Sequence, residues 1–231
     1  MKKCPTVLAI LCGALALSSP AFCAAPSEPP VPAAPTPVVY CLVIDTTAVA
    51  RSQLGNFIAL GQAFVEGNTP ADKTAIITFA GRDNTTLEYN YTSRKASLER
   101  ALDKIFSQGG PADPLDAVYL AADTLGEYAE TGASRPVPDN YALVLLTTGA
   151  NADSVYLPDK VLAMLRERHV RVYVIGFPQV LGPDAKAEVA ARELCRQLGA
   201  DGRVYFPSSK DEALVAAREI IGLIRAQAKV P

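Results

Sequence analysis

The chain has 231 residues, of which 49% are hydrophobic and 20% are charged, which suits one packed domain of ordinary size with additional segments. The formal net charge is −2, and the sequence contains no basic block, arginine cluster or aromatic-rich basic run. This composition argues against nucleic acid as a partner.

The first segment has the features of a secretory signal peptide. Two lysines form a basic start, an apolar stretch covers residues 7–17, and small residues follow it. The stretch is shorter than the roughly 20 residues of a transmembrane helix, so we predict a signal peptide over residues 1–23 and no stable membrane span. Pro20-Ala21-Phe22 before Cys23 lacks the leucine-rich box of bacterial lipoproteins, which argues against lipidation. We therefore expect an exported protein, periplasmic or secreted.

A proline-rich segment separates the signal peptide from the rest of the chain. Residues 24–37 contain six prolines and predict a stiff, extended linker. After cleavage, Cys41 and Cys195 are the remaining cysteines, and both are expected near the edge of the sheet where its strands begin. In an oxidising compartment they can pair, although two separately buried thiols fit the sequence equally well.

Strand and helix patterns alternate along the remaining chain. Apolar runs predict buried strands over residues 38–45, 74–80, 141–146 and 170–175, and a short last strand over 203–206. Leu87, Tyr89 and Tyr91 alternate with polar residues, which predicts a half-exposed strand paired with its predecessor in an antiparallel hairpin. Amphipathic helices fill the intervals. We predict a three-layer, doubly wound α/β domain over residues 38–228, with a mostly parallel sheet, one antiparallel edge hairpin and helices on both faces.

Capping residues mark three predicted helix starts. Ser93 is expected to cap one helix, and Asp113 another that begins at Pro114. Ser209 and Glu212 have the spacing of a capping box at the start of the last helix.

Polar side chains end the first and fourth predicted strands. Asp45, Thr46 and Thr47 follow the first strand, and Thr147 and Thr148 follow the fourth. In open α/β sheets, ligands bind in the crevice beyond the carboxyl ends of the strands. The alternative is that Asp45 only caps the next helix. The pattern makes Asp45, Thr46, Thr47 and Thr148 candidate ligand-binding residues.

From residue 38 to about residue 224, the chain resembles a von Willebrand factor type A domain. In that family the first strand ends in Asp-x-Ser-x-Ser, Gly-Gly-Thr precedes the third helix, and the fourth strand ends in Thr-Asp-Gly. The corresponding segments here are residues 45–49 (DTTAV), 109–112 (GGPA) and 147–149 (TTG). The general style is similar to that of exported bacterial members.

The resemblance implies a metal-ion-dependent adhesion site, in which Mg²⁺ is completed by a carboxylate of a partner protein. It carries over Asp45 and Thr47 as metal ligands, whereas Val49, Ala112 and Thr148 replace a serine, a threonine and an aspartate of the family pattern. A single carboxylate among neutral hydroxyls attracts hydrated Mg²⁺ weakly. We therefore predict a weakened or lost metal site and no cofactor beyond a weakly held Mg²⁺.

These observations predict a non-enzymatic module that binds another protein, either through its loops without a metal or by docking a sheet edge or helix face. One alternative is a metal-dependent adhesion domain that uses Asp45 and Thr47. Asp113 and Asp153 are conceivable substitute ligands, although a cap and a solvated loop residue explain them more simply. A distant alternative is a phosphatase-like hydrolase with Asp45 as nucleophile, but Thr47 stands where its acid belongs. His169 precedes a strand and is therefore expected far from the crevice.

Aromatic side chains are candidate interface anchors, because aromatic residues are enriched at protein interfaces. Tyr89 and Tyr91 lie on the predicted hairpin, and Tyr156 and Phe177 lie near loop ends. For the two hairpin tyrosines, ordinary strand packing is the interpretation that we favour.

Overall fold

The structure is a computed structural model that describes residues 37–81, 84–131, 141–152 and 154–227. The predicted signal peptide, nearly all of the predicted linker, Asp153 and the predicted domain end at residue 228 lie outside the described residues. None of the described helices is both long enough and apolar enough to cross a membrane.

Six strands of the described chain form one sheet in the order β3-β2-β1-β4-β5-β6. They are β1 (Val39–Asp45), β2 (Lys73–Phe79), β3 (Thr86–Thr92), β4 (Tyr141–Thr147), β5 (Val170–Gly176) and β6 (Arg203–Tyr205). Neighbouring strands are parallel except β2 and β3, which form the expected antiparallel hairpin at one side of the sheet. The predicted fold class is confirmed.

Helices cover both faces of this sheet. They are α1 (Leu54–Glu66), α2 (Lys95–Leu102), α3 (Pro114–Thr131), α4 (Pro158–Glu167), α5 (Ala185–Leu198) and α6 (Lys210–Gln227), with short 3-10 turns at Val49–Ser52 and Pro178–Leu181. The core on one face is shared with α1, α2 and α6, and the core on the other face with α3, α4 and α5. These are the three predicted layers.

The central strand explains why the apolar runs are continuous. In β1, Tyr40, Leu42 and Ile44 pack into one core, and Val39, Cys41 and Val43 pack into the other. A strand buried on both faces needs apolar residues at every position. Because β1, β2, β4 and β5 are parallel, their last residues meet at one edge of the sheet, here called the upper edge. The edge where they begin is called the lower edge.

The helix starts follow the capping predictions only in part. Ser209 Oγ accepts a hydrogen bond from the Glu212 N–H at 3.2 Å, as expected. The Glu212 carboxylate, however, accepts from the N–H of Ser208 at 2.7 Å, one residue before the box position. The Ser93 prediction was wrong, because α2 begins at Lys95 without a side-chain cap and the Ser93 hydroxyl instead accepts a hydrogen bond from Lys73 Nζ.

The placement of Cys195 at the lower edge was also wrong. Its sulfur lies close to the upper edge, where a Cβ built on Gly149 would stand 3.0 Å from it and one built on Gly176 3.3 Å from it. The Pro178–Leu181 turn lies between β5 and α5, and the two glycines leave room for the sulfur. Cys41 and Cys195 are both free and buried. Burial raises the pKa of the Cys195 thiol to about 12, so both cysteines serve as small core residues.

Candidate functional site

The Asp45 carboxylate is the centre of a hydrogen-bond network at the upper edge. Its Oδ1 accepts from the backbone N–H and the hydroxyl of Thr47, at 3.1 and 2.6 Å. Its Oδ2 accepts from the Thr147 hydroxyl at 3.1 Å and from the N–H and hydroxyl of Thr148, both at 3.0 Å. Both carboxylate oxygens are therefore occupied by protein donors, and the side chain is fully buried.

Thr46 and Thr47 connect this centre to the neighbouring segments. The N–H and hydroxyl of Thr46 both donate to the carbonyl of Phe79 at the end of β2, and the Thr46 carbonyl accepts from the N–H of Gln108 at 3.0 Å. The Thr47 hydroxyl accepts from the N–H of Ala50 at 3.3 Å. Thr47, rather than Asp45, therefore supports the turn that leads into α1.

The four predicted ligand-binding residues are thus brought together, but none of them faces solvent. Asp45, Thr46, Thr47 and Thr148 are each at most 1% exposed. Thr147 completes the network and was missing from the predicted set. The sequence signal for Thr147 is its hydroxyl group, which directly precedes that of Thr148 at the end of the fourth strand.

Asp113 does not cap α3 as predicted. Its carboxylate is buried and accepts from the N–H of Gly81 at 3.0 Å and from the Thr85 hydroxyl at 3.1 Å. It therefore holds the link between β2 and β3. Burial raises the pKa of the Asp113 carboxyl, although both hydrogen bonds act in the opposite direction.

Two further contacts join the start of α3 to the loop that follows β4. The Ala112 carbonyl accepts from the N–H of Ala152 at 2.8 Å. The Asp116 carboxylate in the first turn of α3 accepts from the N–H groups of Val155 and Tyr156, both at 2.9 Å. The acidic residues nearest the crevice thus bind loop backbone.

The arrangement does not fit the requirements of Mg²⁺. The ion needs about six oxygen ligands in near-octahedral geometry. The oxygens of Asp45 are already engaged, and Val49 and Ala112 offer no side-chain oxygen. Among the residues with a described placement, no three His, Cys, Asp or Glu side chains lie together in a group that could hold a metal ion.

Apolar side chains are exposed on the loops around this buried network. Val49 follows β1, Phe106 follows α2, and Val155 and Leu157 follow β4, with exposed fractions of 41, 67, 55 and 72%. We call these four side chains the loop face. Single exposed hydrophobic residues are ordinary, and here four of them lie on segments at the same edge of the sheet.

The predicted aromatic anchors are packed inside the fold to differing degrees. Phe177 is 3% exposed and lies edge-on to Phe57, so its assignment as an anchor was wrong. Tyr91 lies against Tyr128 at a ring-centroid distance of 4.5 Å, and Tyr89 packs on the core. These contacts support strand packing for both hairpin tyrosines.

Tyr156 has a different environment and remains part of the surface. Its ring stacks on that of Tyr119 at 3.9 Å, and Lys160 Nζ lies 4.7 Å from the Tyr156 ring centroid. His169 precedes β5 at the lower edge, as predicted.

Solved structures share this architecture. An aerotolerance-related membrane protein from Bacteroides fragilis is 20% identical with a TM-score of 0.61, and the match covers 80% of this chain and 99% of that one. The conserved hypothetical protein BatB from Bacteroides thetaiotaomicron is also 20% identical with a TM-score of 0.62, over 81% of this chain and 98% of that chain. At this identity, the likeness establishes the fold.

A curated relative also shows sequence similarity. The human collagen alpha-6(VI) chain is 28% identical over 134 residues, which is 58% of this chain but 5% of the collagen chain. The sequence profile of the von Willebrand factor type A domain matches residues 42–218, which is most of the described chain. Domains of this kind typically mediate protein interaction and adhesion. The chain therefore belongs to the von Willebrand factor type A domain family.

Proposed function

We propose that this protein is an exported, non-enzymatic module of adhesion or assembly that binds another protein through the loop face without a metal ion. The observation that carries the proposal is the buried Asp45 carboxylate, whose two oxygens accept five hydrogen bonds from Thr47, Thr147 and Thr148. In this role Asp45 fixes the loops instead of holding an ion. The loops then present apolar side chains to a partner.

The same geometry weighs against both alternatives. A metal-dependent adhesion domain needs Asp45 and Thr47 to present oxygens to an ion, whereas both side chains are fully buried and both oxygens of the Asp45 carboxylate already accept hydrogen bonds from protein donors. A phosphatase-like hydrolase needs an accessible nucleophile, yet Asp45 is fully buried. Removing the hydrogen-bond donors from a buried carboxylate would destabilise the fold, on the order of 1–3 kcal/mol for each polar group left without a partner.

Export is supported by the signal-peptide features of residues 1–23. The Bacteroides fragilis protein of similar structure is a membrane protein, which is consistent with an envelope location, and the similar human protein is a collagen chain. We infer a periplasmic or secreted protein from the sequence features first and from these relatives second.

Thermal unfolding of the full-length chain tests whether a metal is involved. The midpoint is measured in EDTA and then in millimolar Mg²⁺, Mn²⁺ or Ca²⁺. An ion present at a hundred times its dissociation constant adds about 2.7 kcal/mol of stability, which is a rise of roughly 5–10 °C for a domain of this size. We expect no rise beyond that seen with matched ionic strength. A rise that disappears in Asp45→Asn contradicts the metal-free mechanism.

Paired serine substitutions test the loop face. The full-length chain is used to capture partners from an envelope extract and is compared with Phe106→Ser/Leu157→Ser. The matched control is Val189→Ser, since Val189 is 65% exposed on α5 and lies outside the loop face. We expect the double variant to lose the partner that both the wild type and the control retain. Equal capture by all three proteins places the interaction elsewhere.

A further inference from the structure

An open cavity of about 850 Å³ lies at the lower edge, where the strands begin. The loop face lies at the opposite end of the strands, at the upper edge. Its walls come from the end of α4, the start of β5, the segment before β6 and the end of α6. Arg166, His169 and Arg171 line it, whereas Asp201 is the acidic residue among its described lining. The cavity is therefore mainly cationic.

The positive charges in and beside the cavity are weakly neutralised. Arg166 lies 3.7 Å from Asp201, but both side chains are more than 60% exposed, and exposed pairs of this kind contribute little. Across the described parts of the chain, Arg171 and Arg203 have no carboxylate within ion-pair distance. Within the described residues, neither guanidinium group is therefore paired with a carboxylate, and Arg171 contacts the Tyr173 hydroxyl instead.

Arg171 and Arg203 also converge on one point. Arg203 is the register partner of Tyr173, and Arg171 lies two residues before Tyr173 on the same face of β5. The Tyr173 hydroxyl donates to Gln227 Oε1 at 2.6 Å. Burial raises the pKa of Tyr173, and the charges of Arg171 and Arg203 partly oppose that rise. Both arginines thus act on the same hydroxyl beside the cavity.

His169 supplies an independent observation. Its φ of 54° is the one positive φ at a non-glycine residue of the described chain, and it follows Arg168, the C-cap residue of α4. Glycine occupies this position of a helix end without steric cost, so a histidine is locally the less favourable choice. The strained backbone places an imidazole in the cavity wall.

We propose that this cavity binds a phosphate group, with Arg171 as its main partner and Arg166 and His169 as additional donors. Arginine presents a planar set of N–H donors that matches phosphate oxygens. The ends of α4 and α6 in the cavity wall carry the partial negative charge of helix C-termini, so Arg166 and Arg171 supply the positive charge that a phosphate group needs there. The phosphate belongs either to a small soluble compound or to a lipid headgroup.

NMR titration of the full-length chain with inorganic phosphate tests the site, with chloride holding the ionic strength constant. We expect saturable shifts at the amides of residues 166–171 and 201–203 and at the Arg171 Nε–H. Arg171→Ala should weaken binding at least about tenfold, because a charge-assisted hydrogen bond is removed. Arg166→Ala is the second variant and is safe for folding, since its side chain is exposed.

Arg51→Ala is the matched control. Arg51 is an exposed arginine in the Val49–Ser52 turn at the upper edge, so it changes the net charge equally without touching the cavity. Phosphate affinity should be unchanged in this variant. Absence of saturable shifts in the wild type, or equal weakening in all three variants, overturns the proposal.

Vesicle sedimentation separates the two sources of phosphate. Vesicles of phosphatidylglycerol are compared with vesicles of phosphatidylcholine. Sedimentation with phosphatidylglycerol that is lost in Arg171→Ala and kept in Arg51→Ala supports the site with a lipid headgroup as its ligand. Phosphate shifts without vesicle binding support the site with a soluble ligand. Vesicle binding that falls equally in both variants, without phosphate shifts, contradicts the site.

Discussion

At the scale of single residues, two buried aspartates at the upper edge are satisfied very differently. Asp45 accepts five hydrogen bonds, whereas Asp113 accepts from Gly81 and Thr85 and has a raised pKa caused mainly by burial. A carboxyl with a raised folded-state pKa binds its proton more tightly in the folded protein than in the unfolded chain. It therefore stabilises the fold at acidic pH, and this contribution is lost as the pH rises through the folded pKa.

Asp113→Asn should be more stable than the wild type at pH 7. The amide oxygen still accepts from Gly81 N–H, the amide NH₂ donates to the Thr85 hydroxyl, and the charge that burial disfavours is absent. The free energy of unfolding, measured with urea at several pH values, should differ most near neutrality. The difference should shrink as the pH falls through the raised pKa toward the ordinary value of Asp, 3.8.

Glu212→Gln is a control for which we expect the opposite change in stability at pH 7, because the pKa of Glu212 is lowered and not raised. Hydrogen bonds from Ser208 hold the pKa of Glu212 below its ordinary value, so its contribution is present at neutral pH and is lost as the pH falls through the lowered pKa. This variant should be less stable than the wild type at pH 7. If Asp113→Asn were less stable than the wild type at pH 7, the prediction would be wrong, and the ionised Asp113 carboxylate would be shown to stabilise the fold.

At the scale of elements, an ion pair fastens α6 to the loop before β2. Arg225 Nη2 lies 2.6 Å from Asp72 Oδ2 and donates to the Gly67 carbonyl at 2.8 Å. Asp72 is fully buried and also accepts from the N–H groups of Val38 and Thr69. The pair therefore joins the last helix to the start of the domain.

Arg225→Ala should lower the free energy of unfolding by about 3 kcal/mol, since it leaves Asp72 buried without its positive partner. The value is at the lower end of the range for such pairs, because two backbone donors remain on Asp72. Arg166→Ala is the matched control, because it removes an arginine from an exposed pair and should cost less than about 1 kcal/mol. Urea unfolding measures the free energy of unfolding of both variants. Equal decreases in the two variants would contradict the prediction that the buried ion pair contributes more than the exposed one.

The elements were largely predictable, but the directions of their polar side chains were not. The central strands are buried on both faces, so short apolar runs rich in β-branched residues and bounded by turn residues identify them. Asp113 has the spacing of a helix cap, yet its carboxylate turns to Gly81, a residue far away in sequence. Cys195 was misplaced because the length and direction of the Pro178–Leu181 connection are tertiary features. Local patterns do not determine which of two available donors a carboxylate binds.

In the candidate site, too, the positions of the residues were predictable from the sequence but the directions of their side chains were not. The ends of the first and fourth buried strands predicted that Asp45, Thr47 and Thr148 lie at one crevice, and the structure brings these three residues into hydrogen-bond contact. That these hydroxyls point at Asp45 and not at solvent depends on the packing of the loops above it. The loop face was missed because the exposure of Phe106 or Leu157 follows no periodic pattern.

At the scale of the whole molecule, charge is distributed between the two edges of the sheet. Acidic residues occupy the first turns of α3, α4, α5 and α6, which begin at the upper edge. Arginines occupy the last turns of α4, α5 and α6 at the lower edge. The acidic residues complement the positive N-terminal ends of the helix dipoles, and the arginines complement the negative C-terminal ends. The loop face therefore lies beside the acidic first turns of these helices, and the cationic cavity lies beside the arginine-bearing ends of α4 and α6.

The two edges should also respond separately to mutation. Asp45 anchors loops at the upper edge, and the Arg225–Asp72 pair anchors the lower edge, while the central strands lie between them. We expect hydrogen exchange in Asp45→Asn to rise at residues 46–53 and 148–152, and in Arg225→Ala at residues 67–72 and the end of α6. Local openings of this kind require only the contacts near each anchor to break. A uniform rise over all strands in both variants would show instead that the domain opens as one unit, and the loop face would then depend on global stability alone.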